Sequence, residues 1–311
     1  MEDTTIYFDD GEDKSDIMLL MYLKIIACIL SGCGVIFNTT IIFILLSIKG
    51  SLKTHLKFLL SLSICDLLTG VLHIALYFKP YVCFWNIKES VRLNFKPDTL
   101  VLVLSSFYLI VQFATLGTML LLSADLLIKV RYPLTYCRLL SKGKGNALTV
   151  CLWLMAFIPV GYLIVIVQIE QNKNSFVLNV LNIGNVFQLL SILFFVVILT
   201  FSIVSYCTIR SFVRRQPSSQ DDTSRKAAVT FLALLSTYFV CLLPVLWADA
   251  FYDPYRMVLV KILLQILYVL NTIFDPIIYA LRIPEVQGVF NCVRRRFTSA
   301  TTVNTSTTSQ S

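Results

Sequence analysis

The sequence is poor in charge. Only 14% of its 311 residues are Asp, Glu, Lys or Arg, whereas an ordinary soluble domain has about 25%. With 57% hydrophobic residues, the chain lacks the charged side chains needed to cover a soluble domain. It also has only two histidines and no Cys-x-x-Cys pair among its nine cysteines, which disfavours a metal site. These shortages exclude a disordered chain, a disulfide-stabilised secreted scaffold and an ordinary cytosolic enzyme.

Seven apolar stretches are long enough to cross a membrane, because the hydrocarbon core of a bilayer needs about 20 residues of helix. They are rich in Leu, Ile, Val and Phe without strict alternation, which favours a helical bundle over a membrane barrel. The sequence therefore predicts an all-α membrane protein. Its spans are roughly 17–48, 56–78, 99–130, 147–168, 176–209, 227–252 and 257–281.

The basic residues are divided unevenly between the two sets of loops. If the N-terminus is outside, 17 of the 26 Lys and Arg residues lie on the inner side. This asymmetry predicts a multi-pass plasma-membrane protein with an extracellular N-terminus and a cytoplasmic C-terminus. Topology and attraction to anionic membrane lipid then explain the net charge of +8, and nucleic acid is not an expected partner.

Three carboxylates fall inside the predicted spans, at Asp66, Asp125 and Asp275. A charge at bilayer depth is costly, so each group must face the bundle interior, find a partner or hold a proton. They are therefore the first candidates for functional residues. An enzyme is disfavoured, because the chain shows no nucleophile–base pair and no membrane metal motif.

Each span also carries a short motif built on a polar, aromatic or proline residue. From the first span to the seventh they are Asn38, Asp66, Asp125 with Pro133-Leu134 beyond it, Trp153, Tyr206, Cys241-Leu242-Leu243-Pro244 and Asp275-Pro276-Ile277-Ile278-Tyr279. In this order and at this spacing the motifs resemble those of the rhodopsin-like (class A) G-protein-coupled receptors, over about residues 17–297. The resemblance implies a seven-transmembrane helix bundle.

The resemblance also implies what the chain does and with which partners. It is expected to bind an extracellular ligand and to signal to a heterotrimeric G-protein, with arrestin as a further partner. The ligand contacts are assigned to Tyr108, Gln112, Asp249, Gln265 and Tyr268. Most positions of the family's pocket are apolar here, with a few hydrogen-bonding groups, so an apolar or weakly polar ligand is expected. The sequence is compatible with fish-type odorant and other chemosensory receptors.

Two further groups of residues follow from the same resemblance. The family's central sodium pocket corresponds to Asp66, Thr115, Asn271 and Asp275. Two nearby carboxylates cannot readily both ionise unless a cation lies between them, so either Na⁺ binds there or one carboxyl group holds a proton. No other cofactor is expected. The residues of the conformational switch correspond to Asp125, Leu126, Tyr206, Leu242, Pro244, Pro276 and Tyr279.

The chain departs from the family at Leu126, which replaces the arginine that follows the third-span aspartate. In the family this arginine locks the inactive state and later meets the G-protein. Lys129 lies one helical turn from Asp125, so a pair between them is feasible, but an exposed pair contributes only about 0.3–0.5 kcal/mol. The loss leaves a second hypothesis open, a receptor-fold scavenger or partner subunit with weak or no G-protein coupling.

After the seventh span, residues 284–297 are predicted to form a short amphipathic helix, with Cys292 as a palmitoylation candidate. Basic side chains at its end suit an anionic inner leaflet, and its apolar stripe consists of Val286, Val289, Phe290, Val293 and Phe297. The chain then divides into an acidic extracellular tail (1–16), the seven-transmembrane domain (17–283), this helix, and a disordered cytoplasmic Ser/Thr tail (298–311).

Overall fold

The structure is a computed structural model. It describes residues 13–48, 52–77, 99–132, 134–170, 258–283 and 286–289, together with a scatter of residues between 193 and 241. The regular structure of these residues is helical throughout, and no strand occurs among them. The helices are α1 (Asp13–Ser47), α2 (Thr54–Tyr77), α3 (Thr99–Arg131), α4 (Tyr136–Leu139), α5 (Lys142–Glu170) and α6 (Val258–Arg282).

Five of these helices coincide with predicted spans: α1, α2, α3 and α5 with the first four, and α6 with the seventh. Within the described residues, four stretches are long and apolar enough to cross a membrane: Met21–Ser47, Thr54–Leu76, Ser106–Lys129 and Ile262–Leu281. A shorter apolar stretch, Gly143–Ile158, lies in α5. In the fifth and sixth predicted spans the described residues are also helical. The all-α membrane fold is therefore confirmed. The short helix α4, between the third and fourth spans, was not predicted.

Helix α2 lies at the centre of the described bundle. It packs against α1, α3, α5 and α6, while α1 also packs against α6 and α3 against α5. The outer faces are apolar. On α1, for example, Ile29, Ile36 and Phe43 are exposed and recur every seven residues, which places them on one face. A helix that is apolar on all sides suits a membrane, where its outer face meets lipid instead of water.

The proline inside α6 determines how α1 docks against it. Pro276 has no backbone N–H, so the carbonyl of Thr272, four residues earlier, loses its helical donor. The side chain of Asn38 supplies one, with Nδ2 2.7 Å from the Thr272 carbonyl oxygen. The same amide also donates to the Gly34 carbonyl of its own helix at 3.0 Å. A carbonyl buried in the membrane is thereby satisfied by a neighbouring helix.

A glycine allows this close approach of α1 and α6. A Cβ atom at Gly34 would lie 2.5 Å from Oγ1 of Thr272, whereas a Cβ at Gly32 would meet nothing within 4 Å. Gly34 faces the partner helix, and Gly32, half a turn away, does not. The two glycines therefore form a matched pair, since both sit in the interior of the same helix.

We expect Gly34→Ala to destabilise the protein by about 1–3 kcal/mol, because overpacking forces the two helices apart. Gly32→Ala should instead be neutral or stabilise it by about 0.5–1 kcal/mol, through better helix propensity. Thermal unfolding of the two purified variants in detergent measures the difference. Equal unfolding temperatures would show that the α1–α6 contact does not depend on a small residue at position 34.

Candidate functional site

The carboxyl groups of Asp66 and Asp275 meet in the middle of the bundle. Asp66 lies on α2 and Asp275 on α6, both are buried, and the two groups are in hydrogen-bonding contact. Nδ2 of Asn271, one turn earlier on α6, lies 3.5 Å from Oδ2 of Asp275. The structure thus brings together three of the four residues predicted for the central polar pocket. We refer to these three residues with Thr237 as the carboxyl cluster.

Thr237, in the sixth predicted span, was missed by the sequence analysis. Its Oγ1 lies 3.5 Å from Oδ1 of Asp275 but only 2.8 Å from the Leu234 carbonyl oxygen. A hydroxyl group has one proton, and the shorter bond takes it, so the contact with Asp275 is weak. Helix propensity and spacing give no sign that this threonine faces a carboxyl group.

Thr115, the fourth predicted member, lies beside the cluster. Its hydroxyl donates to the Val111 carbonyl of α3 at 2.9 Å, and its side chain contacts the thiol of Cys65, the neighbour of Asp66. Thr115 thus approaches the carboxyl groups through Cys65. Its role in a sodium pocket stays a prediction.

Two oxygen atoms of the carboxyl cluster are buried without a hydrogen-bond partner in the described structure, Oδ2 of Asp66 and Oδ1 of Asn271. Buried polar atoms are ordinarily paired, so such atoms require an explanation. Carboxylate and amide oxygens are the ligands that hard cations prefer. The residues present therefore fit a small cation, and equally a proton shared by two acids.

Three aromatic rings, one each from α2, α3 and α6, meet nearer the C-terminal end of α2 and the N-terminal end of α3. The ring centroid of His73 lies 5.4 Å from that of Tyr108 and 5.7 Å from that of Tyr268, and the two tyrosine rings are 6.0 Å apart. His73 and Tyr268 are buried, and Tyr108 is half-buried. Such separations are typical of edge-to-face aromatic contacts. We call these three residues the aromatic cluster.

The aromatic cluster unites two of the predicted ligand contacts, Tyr108 and Tyr268. Gln112 follows Tyr108 by one helical turn and Gln265 precedes Tyr268 by one turn, and both are half-buried. The fifth predicted contact, Asp249, lies outside the described residues. The sequence analysis missed His73 because a lone histidine in an apolar span gives no signal of its partners.

Near the C-terminal end of α3, Asp125 accepts a hydrogen bond from a tyrosine, whereas the family has an arginine beside this aspartate. The hydroxyl of Tyr136, the first residue of α4, donates to Oδ1 of Asp125 at 2.7 Å. Lys129, the partner suggested by spacing, contributes only a longer-range electrostatic attraction. Spacing could not indicate Tyr136, because the chain must turn out of α3 before the two side chains can meet.

Leu126 is buried, with 7% of its surface exposed, and belongs to the larger of the two apolar clusters. This cluster also contains Leu140, Leu234 and Tyr279, from the α4 loop, the sixth span and α6. The third helix therefore ends in an apolar cluster at the place where the family would have an ion pair.

The other predicted switch residues are divided between the described and undescribed parts of the chain. Pro276 lies inside α6, and Tyr279 is fully buried. Tyr206, Leu242 and Pro244 lie outside the described residues, as does the palmitoylation candidate Cys292. For the predicted helix 284–297, the described residues 286–289 are helical. Val286 is buried in the larger apolar cluster, with Val289 packed against it.

The chain was also compared with known proteins. The family model described as 7 transmembrane receptor (rhodopsin family) matches residues 37–279. No curated protein matches the chain. The match covers more than half of the sequence and begins one residue before Asn38 and ends on Tyr279.

We expect Tyr136→Phe to reduce the free energy of unfolding by about 1.5–3 kcal/mol, the usual contribution of a hydrogen bond to a charged group. Tyr132→Phe is the matched control, because Tyr132 lies in the same connection and is exposed. Thermal unfolding of both purified variants tests this. A Tyr136→Phe variant as stable as Tyr132→Phe would mean that the bond to Asp125 adds no net stability.

Proposed function

The chain belongs to the rhodopsin family of seven-transmembrane receptors, which signal through G-proteins, and we propose that it responds to a neutral, apolar or weakly polar small molecule. The observation that carries this proposal is the aromatic cluster with its two adjacent glutamines. Together they supply aromatic rings and uncharged hydrogen-bonding groups on three neighbouring helices. A small-molecule site combines the same elements, apolar walls with a few polar groups that orient the ligand.

The residue types present also argue against a cationic ligand. An amine receptor of this family carries a carboxylate at this level of α3, where this chain has Tyr108. The hydroxyl of Tyr268 contacts Tyr108 and Thr69, so the hydroxyl groups of the two tyrosines take part in neutral hydrogen bonds. An odorant or a similar small chemosensory ligand fits this chemistry.

We further propose that the N-terminus is extracellular and the C-terminus cytoplasmic. The end of the bundle that holds Asp125 and Tyr136 then faces the cytoplasm. The α3–α5 connection at this end exposes large apolar side chains, above all Leu134 with 98% of its surface exposed, together with Tyr132 and Leu139. Apolar side chains exposed outside the membrane mark a surface for a protein partner. This connection is where a G-protein, and arrestin after it, would bind.

The buried position of Leu126 favours a receptor that switches over a scavenger that does not. An exposed leucine would have added nothing to the hydrogen bond from Tyr136 in holding the end of α3. A buried one restrains it by apolar packing, and truncating such a side chain costs about 2–5 kcal/mol. Apolar contact between α3, the sixth span and α6 can therefore do what the arginine does elsewhere in the family, without dependence on ionic strength.

The carboxyl cluster gives the proposed receptor a cation-sensitive centre. Asp66, Asp275 and the side-chain oxygen of Asn271 would hold a sodium ion, whose charge would allow both carboxylates to be ionised. With no cation, the two acids share a proton. Either state ties α2 to α6 in the half of the bundle next to the switch residues Pro276 and Tyr279.

We expect sodium to stabilise the purified protein more than potassium at equal ionic strength. At a concentration ten times Kd the gain would be about 1.4 kcal/mol. Asp66→Asn should abolish the difference between the two salts. Asp125→Asn should retain it, because Asp125 bonds to Tyr136 and is not part of the carboxyl cluster. An equal response of the original protein to both salts would leave proton sharing as the state of the cluster.

We expect Leu126→Ala to raise basal G-protein activation several-fold, because it removes apolar contacts that hold the end of α3. Leu154→Ala is the control, since Leu154 is exposed on the outer face of α5. Activation is read with a G-protein dissociation sensor in cells. An epitope tag placed before residue 17 and stained on intact cells reports surface expression and, with it, the orientation.

Three outcomes would contradict these proposals. Unchanged basal activation in Leu126→Ala at normal surface expression would show that Leu126 does not restrain α3. No activation of any G-protein by the original chain or by Leu126→Ala would favour the scavenger or partner subunit. Staining of the tag only after permeabilisation would reverse the orientation.

A further inference from the structure

Ser141 lies in the short connection between α4 and α5, with an arginine three residues before it. Leu140 and Ser141 are the two residues that separate these helices. Ser141 is half-buried, and Arg138 is exposed. A large class of serine/threonine kinases selects its substrates by an arginine at this distance, because the guanidinium group pairs with carboxylates beside the kinase active site. Ser141 therefore has the local sequence of a substrate for such a kinase.

A kinase binds its target segment in an extended form, and the helical turns on both sides of Ser141 are weak. Helix α4 has four residues, and a single turn of helix is unstable without tertiary contacts. The first turn of α5 contains two glycines, which are poor helix formers. A Cβ atom at Gly145 would lie 2.7 Å from Cγ2 of Thr54, so packing explains this glycine, but a Cβ at Gly143 would meet nothing within 4 Å. Gly143 therefore weakens the start of α5 although no close contact requires it.

Two tertiary contacts hold this connection in its folded form. The hydroxyl of Tyr136 donates to Oδ1 of Asp125 at 2.7 Å, and the side chain of Leu140 is buried in the larger apolar cluster. Extending the segment from Arg138 to Ser141 would pull Leu140 out of that cluster and unwind the turn that positions Tyr136. Access of a kinase to Ser141 is therefore linked to opening of the contact between α4 and α3.

A basic side chain already lies across the connection. Nζ of Lys144, on α5, donates to the carbonyl oxygen of Arg138, on α4, at 3.2 Å, so the lysine side chain bridges the segment that contains Ser141. An ammonium group has three N–H donors, and a phosphate ester adds three strong acceptor oxygens. A phosphate on Ser141 would therefore pair with Lys144 when the connection closes again.

We propose that Ser141 is the target of a protein kinase that recognises the arginine three residues before it, and that the kinase acts when α4 has opened from α3. In this reaction Oγ of Ser141 attacks the γ-phosphorus of ATP, the bond from that phosphorus to the β–γ bridging oxygen breaks, and ADP leaves. The hydroxyl proton passes to the general base of the kinase. The cytoplasmic location of Ser141, where a kinase and ATP are present, rests on the proposed orientation.

The modification would weaken contact with a G-protein, a consequence that rests on the proposed function. The phosphate would place a charge of about −2 close to Leu139, which has 48% of its surface exposed and belongs to the apolar surface proposed for the G-protein. A protein that covers this surface would have to remove water from the phosphate, which is costly for a charged group. Phosphorylation of Ser141 thus reduces G-protein activation.

The first test uses the purified full chain in detergent micelles with ATP and the catalytic subunit of cyclic-AMP-dependent protein kinase, which belongs to this arginine-directed class. Mass spectrometry of peptides measures the phosphate on Ser141 separately from that at other sites. We expect Ser141 to be phosphorylated and Arg138→Gln to slow the reaction about tenfold, since charge-assisted hydrogen bonds to the kinase are lost. Arg131→Gln, the same change of charge before α4, should leave the rate unchanged.

A second set of variants tests access. Tyr136→Phe removes the hydrogen bond that holds α4 and should speed phosphorylation several-fold, whereas Tyr132→Phe should not. Gly143→Ala strengthens the first turn of α5 and should slow the reaction about twofold. Gly161→Ala, at another open position of α5, should not. In a synthetic peptide of residues 131–146 the same changes should have no effect, because the peptide has no tertiary contact to open.

Three results would overturn the proposal. Phosphorylation of Ser141 in the peptide, but neither in the original protein nor in Tyr136→Phe, would show that the fold protects this serine. Equal losses in Arg138→Gln and Arg131→Gln would mean that the arginine before Ser141 is not recognised. Equal rates in all the access variants would mean that opening of α4 does not control the reaction. These measurements need no receptor ligand and no G-protein, so failure here leaves the proposed function untouched.

The consequence is measured on the protein reconstituted with a G-protein. Kinase treatment should reduce basal nucleotide exchange several-fold in the original chain and leave Ser141→Ala unchanged. Equal exchange before and after phosphorylation of Ser141 would overturn the effect on the G-protein. A chain that activates no G-protein in either form would instead contradict the proposed function.

Discussion

Proline at position 276 removes a backbone N–H from the interior of α6, and the carbonyl of Thr272 that it leaves must find a donor inside the membrane. Asn38 provides that donor at 2.7 Å, and it can do so only because Gly34 lets α1 approach Thr272 closely. The hydrogen bond fixes the height of α1 against α6. Asp275, the residue before the proline, lies three residues beyond Thr272 on the same helix. The carboxyl cluster is therefore less than one helical turn from a contact in which neither aspartate takes part.

The same requirement, that polar groups within the membrane be satisfied, explains the arrangement of all three intramembrane carboxyl groups. Asp66 and Asp275 are in hydrogen-bonding contact with Asn271 beside them, and the one oxygen of Asp66 that this leaves without a partner is where a cation would bind. Asp125 takes the hydroxyl of Tyr136 instead of an arginine. Since Tyr136 belongs to the α3–α5 connection, the end of α3 is tied to the surface on which Leu134 is exposed. A partner bound to that surface would act directly on the Asp125 contact.

Much of the candidate site could be predicted from the sequence, but its partners could not. Asp66, Asn271 and Asp275 were predicted together because motifs at family spacing imply a shared level in the bundle, and the structure brings them together. Tyr108 and Tyr268 were predicted for the same reason. Thr237, His73 and Tyr136 were missed, because each contact is made between different helices or around a loop. The interpretation of Leu126 as a simple loss was incomplete, since the sequence does not show that this side chain is buried.

The sequence by itself determined the membrane class, the spans now seen as α1, α2, α3, α5 and α6, and the family. These follow from local properties of the sequence, namely the length of its apolar runs and the order of its motifs. Both can be recognised without knowing any tertiary contact. Only the tertiary structure decided which side chains meet. Those pairs depend on how each helix is rotated about its axis and on the path of each connection. Successive residues differ by about 100° around the helix axis, so a shift of one residue changes which neighbour a side chain faces. The aromatic cluster and the bond from Tyr136 to Asp125 therefore come from the fold.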